Sequence, residues 1–391
     1  MRQPTAVPSG IVVRKAVSRS TDAAIAAREV HDALSGPDSA LTILYCAPIY
    51  DLDVLGREIQ RLFGDTPVVG CTTAGEIGPA GYLEGSLTGV SIGGPGLRAA
   101  PVVIDGLKDF QLSRVDAATR LAMANLREGG AEHSSANTFG FLLVDGASMR
   151  EEVLINAIYR NLGSIQLFGG TAADGMRFGR SAVYHGGKFH TDCAVFTLVH
   201  SDYPFFVFKT EHFVPTEEKM VVTKADPARR IVIEINGEPA VQEYARVVGV
   251  KVEELTPYIF ARHPVVVIVG STPYVRSIQL INEDQSIQFA CAIDEGIVLT
   301  VARGLDMVSN LESAFAAVRA RIGEPSLILG CDCIARFLEA QELGVRDRIG
   351  EIMIRNNVVG FATYGEQFNA MHINQTFTGV AFGSARAHVP G

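Results

Sequence analysis

Short apolar runs alternate with amphipathic segments along most of the chain. The Ala-rich segment at 21–34 predicts a helix, with Thr21 or Asp22 near its N-cap. LTILYCA (41–47) has the length and composition of a buried strand, and DVLGREIQRLF (53–63) predicts the helix that follows it. This alternation indicates the α/β class.

Strand–helix units of this kind recur along the chain. FGFLLVDG with REEVLINAIYRNL (139–162) and SLILGCDC with RFLEAQEL (326–343) repeat the order of the first unit. Eight residues recur with the same identity 290 positions later: Gly70, Thr73, Gly75, Glu76, Thr88, Gly89, Val90 and Gly93. A second register, offset by 99, takes Cys46, Gly70, Thr72 and Ala74 to Asp145, Gly169, Thr171 and Ala173. Such repeats predict duplicated strand–helix–strand modules that form mixed sheets flanked by helices.

Two stretches depart from this pattern. Residues 203–249 and 264–302 contain successive strand-like runs, and the Asn-Gly pair at 236–237 is typical of a tight hairpin turn. They predict a β-rich, antiparallel central section. We expect an N-terminal domain of residues 1–222 and a C-terminal domain of residues 223–391.

The overall charge narrows the range of partners. The chain of 391 residues has a net charge of -9 at pH 7, and such an acidic surface repels phosphate backbones and anionic lipids. We therefore expect no nucleic-acid and no membrane partner. The sequence contains no apolar stretch of about 18 residues and no signal-peptide pattern, so we expect a cytoplasmic protein.

Common catalytic signatures are missing from the sequence. There is no GxxxxGK[ST] phosphate loop, no HExxH motif and no GxSxG motif. We therefore expect no enzyme activity and no catalytic residues. Six cysteines are too few for a disulfide framework, so we expect reduced thiols. Cys331 and Cys333 share one face of a strand, where they would ligate a soft metal, serve as redox thiols or simply pack in the core.

Two matched turns are candidates for ligand binding. TTAGE (72–76) and ATYGE (362–366) each end a strand with small residues, a glycine and a carboxylate. Gly75 with Glu76, and Gly365 with Glu366, would present backbone N–H groups and one acid to a small polar ligand. The alternative is that the glycines only allow a tight turn and the glutamates cap neighbouring elements.

An aromatic segment is a candidate for cofactor binding. His212 lies in YPFFVFKTEHF (203–213) among residues that include Phe208 and Phe213, and an imidazole between aromatic rings suits axial heme ligation. A core strand with one hydrogen-bonded histidine is the alternative. His372 comes second as a ligand, and Arg276 would pair with an anionic group such as a propionate, or with a nearby acid.

GCTTAGEI (70–77), FGGTAAD (168–174) and GFATYGEQ with NQTFTGVAFG near the C-terminus together resemble the FIST family. The resemblance covers nearly the whole chain and pairs an N-terminal FIST region with a C-terminal one. It implies a sensory input module that binds a small molecule.

Other segments look more specifically like the nitric-oxide-sensing NosP branch of this family. They are HFVPTEEKMVVTKADPARR, EINGEPAVQEYARVVG, YVRSI, CDCIARFLEAQE and TYGEQFNAMHINQTFTG. This resemblance implies that heme b binds nitric oxide, and that the signal passes by contact to a separate histidine kinase or cyclic-di-GMP enzyme. A homodimer is a further possibility. The rival hypotheses are a FIST sensor of another small molecule such as an amino acid, and a thiol-dependent enzyme that uses Cys331 or Cys333.

Overall fold

The computed structural model describes residues 10–384. The α-helices are α1 (Ala23–Leu34), α2 (Leu52–Phe63), α3 (Leu112–Glu128), α4 (Glu151–Leu162), α5 (Ala240–Val248), α6 (Pro257–Arg262), α7 (Met307–Ile322), α8 (Ile334–Glu342) and α9 (Arg346–Arg355).

The described residues also form 26 β-strands. They are β1 (Val12–Ser18), β2 (Ser39–Cys46), β3 (Val68–Thr72), β4 (Glu76–Gly78), β5 (Gly81–Leu83), β6 (Leu87–Gly93), β7 (Leu97–Asp105), β8 (Thr138–Val144), β9 (Gln166–Thr171), β10 (Val183–His185), β11 (Lys188–His190), β12 (Cys193–Ser201), β13 (Phe205–Thr210), β14 (Phe213–Asp226), β15 (Ile231–Ile235), β16 (Glu238–Pro239), β17 (Val265–Val269), β18 (Thr272–Arg276), β19 (Ile278–Ile281), β20 (Ile287–Phe289), β21 (Val298–Gly304), β22 (Pro325–Cys333), β23 (Val358–Thr363), β24 (Glu366–Phe368), β25 (Met371–Ile373) and β26 (Phe377–Gly383).

The first helix illustrates how local sequence sets the element boundaries. The side chain of Asp22 accepts hydrogen bonds from the backbone N–H groups of Ala24 and Ile25, so it is the N-cap of α1, as the sequence predicts. Asp51 caps α2 in the same way through Asp53 and Val54. Both helices bury one apolar face against a sheet, which fixes their orientation.

Three modules have the same architecture, which confirms the predicted α/β fold of repeated units. Module 1 spans β1 to β6, module 2 spans β7 to β12, and module 3 combines β13 with β22 to β26. Each contains a parallel strand pair, namely β2–β3, β8–β9 and β22–β23, flanked by an antiparallel strand. The turn elements β4 to β6 and β24 to β26 are related by the predicted offset of 290.

The offset of 99 needs one correction. Cys46 pairs with Thr72, whereas the residue that pairs with Thr171 is Val144. The structural equivalent of Cys46 is therefore Val144, and not Asp145, because the loop between the two parallel strands differs in length by one residue.

Each module gives a hairpin to the sheet of another module. The hairpin β10–β11 of module 2 pairs with β3, β24–β25 of module 3 pairs with β9, and β4–β5 of module 1 pairs with β23. The three six-stranded sheets are therefore joined in a closed cycle.

A single core lies between the inner faces of these sheets. The Tyr45 and Phe361 rings stack at 4.8 Å between the first and third sheets, and Phe139 meets Phe382 at 5.7 Å between the second and third. The helices pack on the outer faces, where each module has its own apolar layer.

The central section forms an eight-stranded antiparallel sheet, as the sequence predicts. Asn236 and Gly237 have φ angles of 53° and 83°, which are the left-handed values that a type I′ hairpin turn requires. One strand of the predicted central section lies elsewhere: β13 pairs with β26 in module 3. The expected domain boundary at 222/223 falls within β14 and stays a prediction. Within residues 10–384, no helix is long and apolar enough to cross a membrane.

Candidate functional site

The central strands of the three modules end at one place. A ring of three backbone hydrogen bonds joins them: Ala74 N–H to Ala362 C=O at 3.0 Å, Tyr364 N–H to Thr171 C=O at 3.3 Å, and Ala173 N–H to Thr72 C=O at 2.9 Å. We call residues 72–76, 171–174 and 362–366 the strand junction. It contains both turns that the sequence singles out.

Glu76 and Glu366 occupy equivalent, fully buried positions in the strand junction. The Thr73 hydroxyl donates to one oxygen of Glu76 at 2.5 Å, and the amide and hydroxyl of Ser86 donate to the other at 3.1 and 2.6 Å. Glu366 is held in the same way by two threonines, Thr363 and Thr376. Burial raises the pKa of Glu76 to about 7 and that of Glu366 to about 8, although these hydrogen bonds oppose the rise.

Both glycine positions of these turns disfavour a side chain, but for different reasons. Gly75 has a φ of 149°, which side chains rarely adopt. A Cβ at Gly365 would lie 2.8 Å from Asn374 Nδ2 and closer still to the His372 ring. The junction is therefore tightly packed around both glutamates. A ligand-binding role for Gly75, Glu76, Gly365 and Glu366 stays a prediction, and their geometry indicates a structural role.

Replacing Glu366 by glutamine is expected to flatten the pH dependence of stability. A carboxyl group whose pKa is raised by folding stabilises the folded state only while it is protonated, so stability falls as the pH rises from about 4.5 towards 8. Glutamine is uncharged and can donate to Thr363. Between pH ~6 and ~9 the loss of unfolding free energy should be about 2 kcal/mol smaller than in the wild type.

Urea denaturation at several pH values measures this difference. Glu58→Gln is the matched control, because Glu58 is a partly exposed residue of α2 that accepts from Arg61 at the surface. An unchanged pH profile in the Glu366→Gln variant would show that Glu366 is ionised throughout this range.

His212 belongs to a buried chain of polar side chains. Its Nε2 lies 2.7 Å from Glu339 Oε2, and Arg336 Nη1 lies 3.0 Å from its Nδ1. Arg336 also donates from Nε to Asp332 at 2.7 Å, and the Tyr82 hydroxyl donates to the other Asp332 oxygen. Burial lowers the pKa of His212, so the ring is neutral: Nε2–H donates to Glu339 and Nδ1 accepts from Arg336. Both ring nitrogens are thus engaged.

His372 and Arg276 lie together at the β24–β25 hairpin. Arg276 Nη1 is 3.5 Å from the carbonyl oxygen of His372, and Gln367 Nε2 is 3.4 Å from His372 Nδ1. His372 Nε2 is buried and has no hydrogen-bond partner among the described residues. It faces Gly365, so the space beside it is filled by the strand junction.

These residues do not form a heme site in this structure. Phe213 packs beside the His212 ring at 4.1 Å, while Phe208 packs against Phe315 and Phe377 in the outer layer of module 3. The cavity beside Phe213 has a volume of about 10 Å³, which holds about one water molecule. Ligand pockets typically measure about 300–1,000 Å³. His212, the predicted iron ligand, therefore has neither a free ring nitrogen nor space for a porphyrin.

The cysteine pair is buried as well. Burial raises the pKa of Cys331 and Cys333 well above the ordinary value, so both thiols are protonated at neutral pH and are poor nucleophiles. Neither belongs to a group of three potential metal-ligating side chains within residues 10–384.

Modules 1 and 2 have clefts after their second strand, at the place where module 3 continues directly into a helix. Loops at 47–51 and 145–150 separate the second strand from the next helix in modules 1 and 2, whereas α8 begins at Ile334, directly after β22. The clefts open at the carboxyl ends of the parallel strands, the usual place for ligands in α/β sheets. Cleft 1, in module 1, has a volume of about 390 Å³. Cleft 2, in module 2, measures about 320 Å³.

Cleft 2 lies between module 2 and the eight-stranded sheet. Its lining combines three charged groups, two aromatic rings and two amides: Lys108, Glu151, Arg230, Phe178, Tyr364, Gln279 and Gln288. Arg230 donates to Glu151 at 2.7 Å, to Glu152 at 2.6 Å and to the carbonyl oxygen of Ala290 at 2.9 Å. Burial opposes the charge of Arg230, but the two glutamates raise its pKa, so Arg230 stays charged.

One loop separates the two clefts. The Tyr364 ring stacks on Phe178 at 4.6 Å, and its hydroxyl accepts from the Asp174 and Phe178 amides at 3.1 Å each. The Asp174 carboxylate accepts from the amides of Gly179 and Arg180 at 3.1 and 2.7 Å. Hydrogen bonds outweigh the effect of burial and lower the pKa of Asp174. The loop 174–180 is therefore anchored by these hydrogen bonds, with Tyr364 as its support.

Sequence reasoning missed most of the cleft 2 residues. The FGGTAAD turn points to Asp174, at the start of the loop, but Phe178 is four residues beyond it. Gln279 and Gln288 are polar positions in alternating strands, a pattern that equally fits a solvated sheet face. Their convergence on one cleft depends on the pairing of β19 with β20.

Two protein-family models match successive parts of the chain. The FIST N domain model matches residues 40–238, and the FIST C domain model matches residues 240–369. An uncharacterized protein of Methanocaldococcus jannaschii is 25% identical over 282 residues, which cover 63% of this chain and 54% of that protein. The chain thus spans about half the length of the curated relative it matches. Because the two domain models together match most of its length, the chain belongs to the FIST family, whose domains are associated with sensory signal transduction.

Proposed function

We propose that this FIST protein senses a small polar molecule that binds in cleft 2. The observation that carries this proposal is that cleft 2 has walls from both domain segments. Lys108, Glu151 and Phe178 come from the FIST N segment, while Gln279 and Gln288 come from the FIST C segment. A molecule bound there contacts both segments, so its binding free energy favours one arrangement of the two, as a sensor requires.

The lining favours a small zwitterion such as a free amino acid. The Lys108 ammonium suits a carboxylate. The Glu151 carboxylate already accepts from Arg230 at 2.7 Å, so a ligand ammonium group would share this carboxylate with the guanidinium. Gln279 and Gln288 offer both donors and acceptors, and the stacked Phe178 ring gives an apolar wall. A volume of about 320 Å³ is at the lower end of the range for ligand pockets, which suits a ligand of this size.

Replacing Gln279 or Gln288 by leucine is expected to weaken ligand binding about tenfold. Leucine keeps much of the side-chain volume but removes the amide, which leaves polar groups of the ligand unpaired in the cleft at a cost of about 1–3 kcal/mol. A panel of free amino acids and small carboxylates, screened by thermal shift and then by calorimetry, identifies the ligand and measures its Kd.

The matched control is Arg177→Gln, which removes a charge from the lining of cleft 1 and leaves cleft 2 intact. If Arg177→Gln weakens binding and neither Gln279→Leu nor Gln288→Leu does, the ligand binds in cleft 1. If no compound of the panel binds, free amino acids and small carboxylates are excluded as the ligand.

The finer expectation, a heme b sensor of nitric oxide of the NosP kind, remains a separate proposal. The geometry around His212 and His372 weighs against it. An absorption spectrum after heme reconstitution, with and without nitric oxide, tests it directly. A stoichiometric Soret band that is lost in the His372→Ala or His212→Ala variant would reinstate it. The histidine kinase or cyclic-di-GMP enzyme as output partner, and the homodimer, stay predictions.

A further inference from the structure

We propose that Asp105, His190 and Cys193 bind a transition-metal ion of the zinc class. Each of the three side chains offers one ligand atom, and these atoms all lie within 4.8 Å of one another. A thiol, an imidazole and a carboxylate are the three side-chain donors of zinc sites, and three protein ligands leave a fourth position for water. None of the three residues lines cleft 1 or cleft 2, and the proposal does not rest on the proposed function.

The three donors are free of competing contacts. His190 Nε2 lies 3.0 Å from the carbonyl oxygen of His185, to which it must donate, so Nδ1 keeps its lone pair for a cation. Such a backbone hydrogen bond is the usual outer-shell support of a metal-binding histidine. Within residues 10–384, the Asp105 carboxylate and the Cys193 sulfur make no side-chain hydrogen bond and no ion pair.

The surroundings of the cluster are acidic. Asp145 and Asp192 also act on the Cys193 thiol electrostatically. In the described part of the chain, Asp105, Asp145 and Asp192 have no lysine or arginine side-chain nitrogen within 4.0 Å. The guanidinium of Arg114 lies beside Gly106 but pairs with none of these carboxylates. A divalent cation would neutralise this concentration of negative charge.

The donor set also selects among cations. Sulfur and nitrogen ligands favour zinc and related transition metals over magnesium and calcium, which prefer oxygen. On binding, a metal–sulfur bond replaces the S–H bond of Cys193, and the proton passes to solvent.

The position of the cluster gives the ion a structural task. Asp105 ends β7 and pairs in register with Cys193, which begins β12 in the second sheet. His190 ends β11, part of the hairpin that module 2 contributes to the first sheet. One ion would therefore tie the exchanged hairpin to the sheet of its own module. Asp105 is exposed and lines an open groove of about 640 Å³, which gives an ion access from solvent.

The test uses the full chain, stripped of metal with a chelator and then titrated with zinc or cobalt. We expect one equivalent of zinc per chain, a thiolate-to-cobalt charge-transfer absorption, and no competition from magnesium or calcium. Asp105→Asn and His190→Ala should each weaken zinc binding at least about tenfold. Both change residues that are not fully buried, so folding should survive, and circular dichroism checks this.

Two controls separate this site from chance binding. His31→Ala removes a histidine of module 1 on α1 and should leave zinc affinity unchanged, as should Cys291→Ser for a buried cysteine outside the cluster. Zinc should raise the melting temperature of the wild type and of both controls, but not that of His190→Ala. The proposal is overturned if the wild type binds no stoichiometric zinc, or if Asp105→Asn and His190→Ala keep the wild-type affinity.

Discussion

Replacing Arg336 by methionine is expected to lower the free energy of unfolding by about 3–5 kcal/mol. Arg336 is 1% exposed and donates to Asp332, which is fully buried at the end of β22. Methionine fills a similar volume but leaves the Asp332 carboxylate with the Tyr82 hydroxyl as its only side-chain partner among the described residues. A buried charge that loses its counter-charge is among the most destabilising changes known.

Urea denaturation measures the effect, and Arg346→Met is the matched control. Arg346 pairs with Glu84 at 2.7 Å and lies over the Phe337 ring at 4.4 Å, but it is partly exposed, so its loss should be below about 1 kcal/mol. The double variant Asp332→Asn with Arg336→Met removes both charges and should recover part of the stability. An Arg336→Met variant as stable as the control would show that Arg336 is not needed to stabilise Asp332 in the core, and it would contradict this prediction.

The repeat shows which level of structure a sequence can reveal by itself. Gly70 and Gly360 recur because each module needs the same close strand contact, and that requirement is local, so it is visible as identity at a fixed spacing. The exchange of hairpins is not visible in this way. The sequences of short elements such as β4 and β24 can indicate that they are strands. The partner with which each strand pairs is decided by the packing of whole modules.

The aromatic segment at 203–213 was a weaker guide. A dense run of aromatic residues is typical both of a cofactor wall and of an ordinary core, and here it lines cores of module 3 and its neighbours. A better signal lay in CDCIARFLEAQE, where Asp332, Arg336 and Glu339 follow at spacings of four and three. That spacing puts the last two on one helix face, so a buried charge network could have been inferred. His212, 124 residues away from Arg336, could not have been placed in it.

Cleft 2 and the proposed metal cluster show more clearly what cannot be predicted from the sequence. Asp105, His190 and Cys193 come from three strands, and only the pairing of β7 with β12 and the return of β11 bring them together. The same holds for Gln288 in cleft 2. Lone polar residues at strand ends resemble ordinary surface positions, so their convergence follows from topology and not from any local motif.

Replacing Gly360 by alanine is expected to destabilise the protein by more than about 3 kcal/mol. A Cβ at Gly360 would lie far inside contact distance of the backbone carbonyl oxygen of Gly330, its partner in the parallel pair. The obstacle is backbone in a central strand, so it cannot move aside as the end of a side chain can. Relief requires the two strands to separate, which disturbs the core between the three sheets. Equivalent contacts exist at Gly70 and Gly169, so the same substitution should be similarly harmful in modules 1 and 2.

Gly237→Ala is the control that separates this steric clash from the loss of glycine's backbone freedom. Gly237 has a φ of 83° in the β15–β16 turn and open space around its Cα, so alanine there should cost only about 1 kcal/mol. Soluble expression and urea denaturation compare the two variants. A Gly360→Ala protein as stable as Gly237→Ala would mean that β22 and β23 separate at little cost, and the close strand contact could then not be the reason why glycine stands at this position in all three modules.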